Sequence, residues 1–155
     1  MKRYGPLLAA ADALVIGDPG REHLRLTPDA VTHRNGRDHR ESFAWDQLSM
    51  VHLDLPTTRF RYPGLVGTIG LGILSAAIQD DLGIDPDEGS VDVVVDGEPR
   101  RLALDRHHVG GYWERTVVGA QRLLDQLLTH ADQRTLLSQP DALVGLAAKL
   151  ARRAA

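Results

Sequence analysis

The residues best suited to chemistry gather in "HRNGRDHR", positions 33 to 40. Arg34, Arg37 and Arg40 stand beside His33 and His39, around an Asn35-Gly36 pair that marks a hairpin tip because both residue types tolerate positive φ. Guanidinium forks match phosphate oxygens, so Arg34, Arg37, Arg40 and His39 form a candidate site for an anionic ligand, with weak contact to anionic lipid head groups as its membrane form. Asp38 and Glu41 are interleaved with these cations, which is equally the pattern of an ordinary solvated turn.

Other reactive residues are harder to assemble. His52 in "VHLD" and His107-His108 in "DRHH" supply the residue types of a metal or acid–base site. Adjacent histidines point apart on any regular element, however, and no pair has the spacing of a helical two-histidine metal motif. The expectation is therefore no catalytic residue, no metal and no cofactor, with a histidine/carboxylate enzyme kept as an alternative. Asp80, Asp81, Asp85, Asp87 and Glu88 offer hard oxygens but depart from the alternating ligand positions of a calcium loop. They read as a hydrated loop, or as a surface for a basic partner or for the arginine hairpin of a neighbouring copy. "GTIGLG" lacks the lysine of a phosphate loop, and no serine sits in a nucleophile elbow. A net charge of −3 and 5% aromatic residues argue against a nucleic-acid partner. There is no cysteine, hence no disulfide, thiolate metal site or cysteine nucleophile.

These residues must be positioned by a small frame. With 155 residues, 43% hydrophobic and 25% charged, the chain reads as one globular domain with a real core. Near the start, Asp12 interrupts the apolar run from Leu7 to Ala13, against a signal peptide. The longest uncharged apolar stretch, "LVGTIGLGILSAAI" at 65–78, is too short to cross a bilayer of about 30 Å as a helix. The expected location is cytoplasmic.

Residues 22 to 55 read as successive antiparallel strands. Leu24 and Leu26 share a face, Pro28-Asp29 turns the chain, and "AVTHR" returns. Phe43 and Trp45 share one parity; Val51, Leu53 and Leu55 share it again, but Asp46-Gln47-Leu48 breaks the alternation. A turn or bulge there would let the sheet bend without turning its apolar face outward, with Trp45 plugging the corner. A second strand group follows: Val91, Val93 and Val95, a turn at Asp96-Gly97, then Leu102 and Leu104. Trp113, Val117, Ala120, Leu124, Leu127, Leu128 and Ala131 recur at helical spacing, and a last helix opens near Pro140.

In "FAWDQLSMV", Phe43, Trp45, Asp46, Leu48 and Val51 match the pattern hydrophobic, x, Trp, Asp, x, hydrophobic, x, x, Val. On these residues the chain resembles the bacterial pleckstrin-homology-like family. Its final hairpin and long helix are similar to 91–104 and 112–130. The resemblance spans roughly residues 10 to 130. It implies an α+β fold: an antiparallel barrel or sandwich of two near-orthogonal sheets, capped by a long C-terminal amphipathic helix. The expected domain is then 10–131 with an insert at about 63–90, followed by an additional helix within 132–155. Phe43, Trp45, Leu48, Val93, Leu104, Trp113 and Leu124 are its expected core. The resemblance also implies a non-enzymatic protein-interaction or scaffolding module. An uncovered apolar patch usually marks an interface, so Leu65, Ile69, Leu71, Ile73 and Leu74 are the expected contact of a homo-oligomer. The alternative is a peripheral membrane module that binds anionic lipid through the basic hairpin.

Overall fold

The computed structural model describes residues 2–58, 88–105 and 112–153. They form an α+β fold with two antiparallel sheets. The larger sheet runs in sequence order through β1 (Arg3–Tyr4), β2 (Leu7–Ala9), β3 (Leu14–Gly17), β4 (Glu22–Leu26), β5 (Ala30–Asn35) and β6 (Asp38–Ala44). The smaller has the order β10 (Glu98–Asp105), β9 (Glu88–Val95), β7 (Leu48–Asp54). A short parallel pair joins β8 (Thr57–Thr58) to β11 (Tyr112–Trp113). Helix α1 (Glu114–Thr129) packs along β7, a 3-10 segment covers Ala131–Ser138, and α2 (Pro140–Arg153) lies against α1, β1 and β2.

The break in alternation at Asp46 is where the chain changes sheets. β6 ends at Ala44, a single 3-10 turn covers Trp45–Gln47, and β7 begins at Leu48. Trp45 is buried, and its indole N–H donates to the Thr27 carbonyl over 2.8 Å. The Arg134 guanidinium lies 5.3 Å from the indole centroid. The same guanidinium donates to the Leu127 carbonyl at 2.8 Å and the Leu128 carbonyl at 3.1 Å, and its Nη1 reaches Asp46 at 3.3 Å. One side chain thus caps the orphan carbonyls at the end of α1, stacks on the corner tryptophan and pairs with its neighbour.

The two hairpin loops differ. At Asp96-Gly97 both residues have positive φ, 50° and 82°, as a type I′ turn requires. In the β5–β6 loop Asn35 pairs with Asp38, and of the two loop residues, Gly36 and Arg37, only Gly36 has positive φ. Glycine at the first central position is the requirement of a type II′ loop.

Phe43, Trp45, Leu48, Val93, Leu104 and Leu124 lie in one buried cluster that runs from Leu7 through both sheets to Ala147. Trp113 is only partly buried, with Arg115 5.8 Å from its ring centroid; Tyr112 is the enclosed aromatic. The reason is a change of period: both belong to β11, where neighbours face opposite ways, and Trp113 is the N-cap rather than a residue of the helical stripe. Ala131 likewise falls beyond the end of α1 and is exposed. Arg3–Tyr4 and Leu7–Ala9, placed before the expected domain, are strands of the larger sheet, and Glu88–Ser90, placed in the insert, pair in β9.

α1 is buried on a second flank. Thr116, Gly119 and Leu123 are buried there; a Cβ at Gly119 would lie 2.6 Å from the Ala147 carbonyl and 3.0 Å from the Ala151 Cβ. The opposite glycine, Gly145 of α2, would place a Cβ no nearer than 3.6 Å to Lys2 Nζ. Two alanine substitutions should therefore have opposite signs. Gly119→Ala is expected to cost about 1–3 kcal/mol by overpacking, and Gly145→Ala to stabilise by about 0.5–1 kcal/mol through helix propensity. Urea midpoints of both variants check this.

Candidate functional site

The basic hairpin does not gather its cations in one place. His33, Leu24 and Glu41 share a cross-strand row on the inner face, whereas His23, Arg34 and His39 form the next row on the outer face. The pairing jumps from His33–Glu41 to Arg34–His39, so Arg40 is the extra residue of a β-bulge. The bulge brings Arg40 Nη2 to 3.6 Å from Glu22 Oε1, on the inner side. Arg34 stays outside, its Nη2 donating to the Arg37 carbonyl at 3.1 Å. Arg37 and His39 are exposed. Of the four residues expected to bind an anion, Arg34 and His39 are cross-strand neighbours, Arg37 supplies a carbonyl to the turn, and Arg40 is drawn to a carboxylate.

His33 does different work. The chain never closes into a barrel by a ladder between the two sheets among the described residues; side chains bridge the seam, together with a backbone bond from the Asp18 amide to the Asp105 carbonyl at 2.8 Å. His33 is buried, and its Nε2 lies 2.9 Å from the Ala103 carbonyl in β10 and 3.0 Å from Glu22 Oε2. A carbonyl can only accept, so Nε2 carries the proton and directs it between the two oxygens. Glu22 Oε2 is enclosed and has no other close partner among the described residues. Further along, Arg100 of β10 binds both oxygens of Glu41 at 3.2 and 3.1 Å and lies 5.9 Å from the Phe43 ring centroid. At the far end the Asp105 carboxylate accepts from the Glu22 amide at 3.1 Å and sits 3.4 Å from Arg21 Nε.

The outer face of the smaller sheet carries a second polar group. Arg101 donates to both oxygens of Asp92, at 2.8 and 3.2 Å, and approaches Asp54 at 4.0 Å; His52 is opposite Asp92 across the ladder. The hydrogen bond from Arg101 holds the Asp92 carboxyl below the usual aspartate range, aided by the charges of Arg101 and His52. Every carboxylate in this group faces a cation. Among the described residues no three histidine or acidic side chains converge as a metal site. A shallow cleft of about 410 Å³ lies between β2 and α2, where Lys2 and Asp141 flank a floor of Ala9, Ala10 and Ala11. Leu65, Ile69, Leu71, Ile73 and Leu74, the acids from Asp80 to Asp87, and His107 and His108 lie outside the described residues.

Sequence reasoning missed Gln121. Among the described residues β7 is an edge strand, and Gln121 of α1 completes it: Leu53 N–H donates to Gln121 Oε1 at 2.8 Å, while Gln121 Nε2 donates to the Val51 carbonyl at 2.7 Å. One amide side chain here substitutes for a neighbouring strand. Its signal in the sequence, a glutamine on the border of the apolar stripe, is too common to read.

Comparison with known proteins gives no further guide: no family model, no curated protein and no solved structure matches the chain. Among the described residues no helix is long and apolar enough to cross a membrane.

Two outcomes follow from the polar contacts. His33→Leu removes the donor for both the Ala103 carbonyl and Glu22 Oε2, and should cost on the order of 1–3 kcal/mol, whereas exposed Arg37→Ala should stay within about 0.5 kcal/mol of the parent in urea unfolding. For Asp92, whose folded-state titration is depressed, the contact with Arg101 stabilises above the ordinary aspartate range and fades as pH falls through that titration. Carboxyl NMR should show the Asp92 titration moving up toward the ordinary value in Arg101→Gln.

Proposed function

We propose that this chain is a non-enzymatic protein-interaction module of pleckstrin-homology-like build, working in the cytoplasm and self-associating through the apolar run at 65–78. The observation that carries this reading is a described core that is contiguous without the apolar run at 65–78. A contiguous core already links both sheets and both helices among the described residues. The described frame runs to β8 and resumes at β9, and the sequence between them carries the longest uncharged apolar run. We read that run as surplus to the core; surplus apolar surface favours a partner, and a second copy is the partner always present.

The pleckstrin-homology-like build draws support from the corner at Trp45, where the chain passes from one antiparallel sheet to another, and from a long helix packed beside it. The two strands ahead of β3 and helix α2 extend that build at one side. The polar seam supports a binding role over a catalytic one: His33, Glu22, Arg40 and Asp105 spend their bonding capacity on one another and on backbone groups that hold the sheets together.

Sedimentation equilibrium of the full chain tests the reading. The parent should self-associate, and Leu71→Asp with Ile73→Asp should shift it to monomer while the far-ultraviolet spectrum and melting temperature are retained. A parent that stays monomeric up to high concentration overturns the proposal.

A further inference from the structure

We propose that the junction of β1, α1 and α2, where Tyr4 lies between Arg115 and Arg152, docks the acidic run 80–88 of a second copy. This rests on the reading of the chain as self-associating, and it adds a charged contact to the apolar one.

The junction is built by close packing. The Tyr4 ring lies over Gly119, where an added Cβ would come 3.1 Å from Tyr4 Cε1 and 3.0 Å from the Ala151 Cβ. Gly5, at φ 55°, is pressed on Thr116 with no room for a side chain. Thr116 Oγ1 donates to the Trp113 carbonyl at 2.6 Å, which fixes β11 on the first turn of α1. Arg115 stands one turn before Gly119, 5.8 Å from the Trp113 ring centroid, and Arg152 follows Ala151 in the last turn of α2. Burial raises the titration of the Tyr4 phenol, and the charges of Arg152 and Arg115 oppose that rise, so both guanidiniums stand near the hydroxyl.

What the junction lacks is a carboxylate. Arg21, Arg25, Arg40, Arg100, Arg101 and Arg134 each pair with an aspartate or a glutamate. Arg115 and Arg152 are exposed and have no such partner among the described residues. Glu114, the acid in the first turn of α1, stands about 100° round the helix from Arg115. The last turn of α2 adds a further cation, Arg153. Beside them Val118 is exposed between Arg115 and Arg122 on one face of α1. Arginine, tyrosine and tryptophan are the side chains that most often anchor protein contacts, and the partly buried rings of Tyr4 and Trp113 have little freedom left to lose.

The complement lies in the same sequence. From Asp80 to Glu98 there are eight acidic residues and no lysine, arginine or histidine. Within that stretch, 80–88 sets Leu82 and Ile84 among Asp80, Asp81, Asp85, Asp87 and Glu88. Carboxylates interleaved with aliphatic residues suit two guanidinium forks beside an exposed valine. The contact joins unlike surfaces, so it is heterologous.

A charge swap in the full chain tests this. One variant carries Arg115→Glu with Arg152→Glu, the other Asp80→Arg with Asp81→Arg and Asp85→Arg; melting curves of each alone report its folding. Mixed at low salt, with the first variant isotope-labelled, they should show amide shifts at residues 3–4, 113–119 and 149–153. Neither variant alone should show them, and high salt should remove them. A synthetic peptide of residues 80–88 should move the same amides in the labelled parent. It should bind Arg115→Gln with Arg152→Gln about tenfold more weakly, and Leu71→Asp with Ile73→Asp as it binds the parent. If that last variant stays associated, the apolar contact alone is overturned; if the parent ignores the peptide, the junction alone is. Swapped variants that give no shifts on mixing, even with a peptide response, overturn a second copy as the occupant.

Discussion

Between Ala44 and Leu48 the chain leaves one sheet for the other, and the bonds made at that step hold the rest in register. A strand that turns a corner exposes backbone groups and opens a gap beneath the bend. Trp45 fills the gap and bonds the Thr27 carbonyl, so the β4–β5 turn is tied to the corner. Gln47 accepts from the Ala44 amide and donates to Asp96, which fastens the same corner to the β9–β10 loop. Arg134 then joins the end of α1 to the indole. Loss of any one contact would loosen two sheets and a helix together, because each neighbour takes its position from the same few residues.

The smaller sheet depends on this arrangement in a second way. Among the described residues its two edges have no further strand beside them, and exposed edges invite pairing with other chains. On β7 the problem is met by Gln121, whose amide presents one acceptor and one donor at the spacing that Leu53 N–H and the Val51 carbonyl require. On β10 it is met by charge and by shape: Pro99 removes a donor, and Arg100 is bound to Glu41 across the seam. The fold thus stays open as two sheets, yet its edges are occupied by side chains. This division of labour also explains the uneven use of the hairpin's histidines and arginines. Those facing the seam are spent on holding β10, while on the far side Arg34 bonds only the Arg37 carbonyl among the described residues.

The sequence by itself determined the strand groups at 22–55 and 91–104, the existence of both hairpins, the corner at Trp45 and most of the apolar stripe of α1; it did not mark β1, β2 and β3. These are local properties: alternation, helical spacing and glycine at a loop position act over a few residues. It did not determine which face each arginine of "HRNGRDHR" would take, because a one-residue bulge at Arg40 changes the outcome and no propensity marks the bulge. Nor did it mark Gln121, Arg134 or Gly119, whose roles exist only where distant segments meet. Trp113 shows the same limit in reverse, since its helical spacing is real but its backbone belongs to a strand. Tertiary structure decided these cases, because a side chain's bonding partners depend on which elements are brought within about 3 Å of it, and spacing along the chain carries no such information.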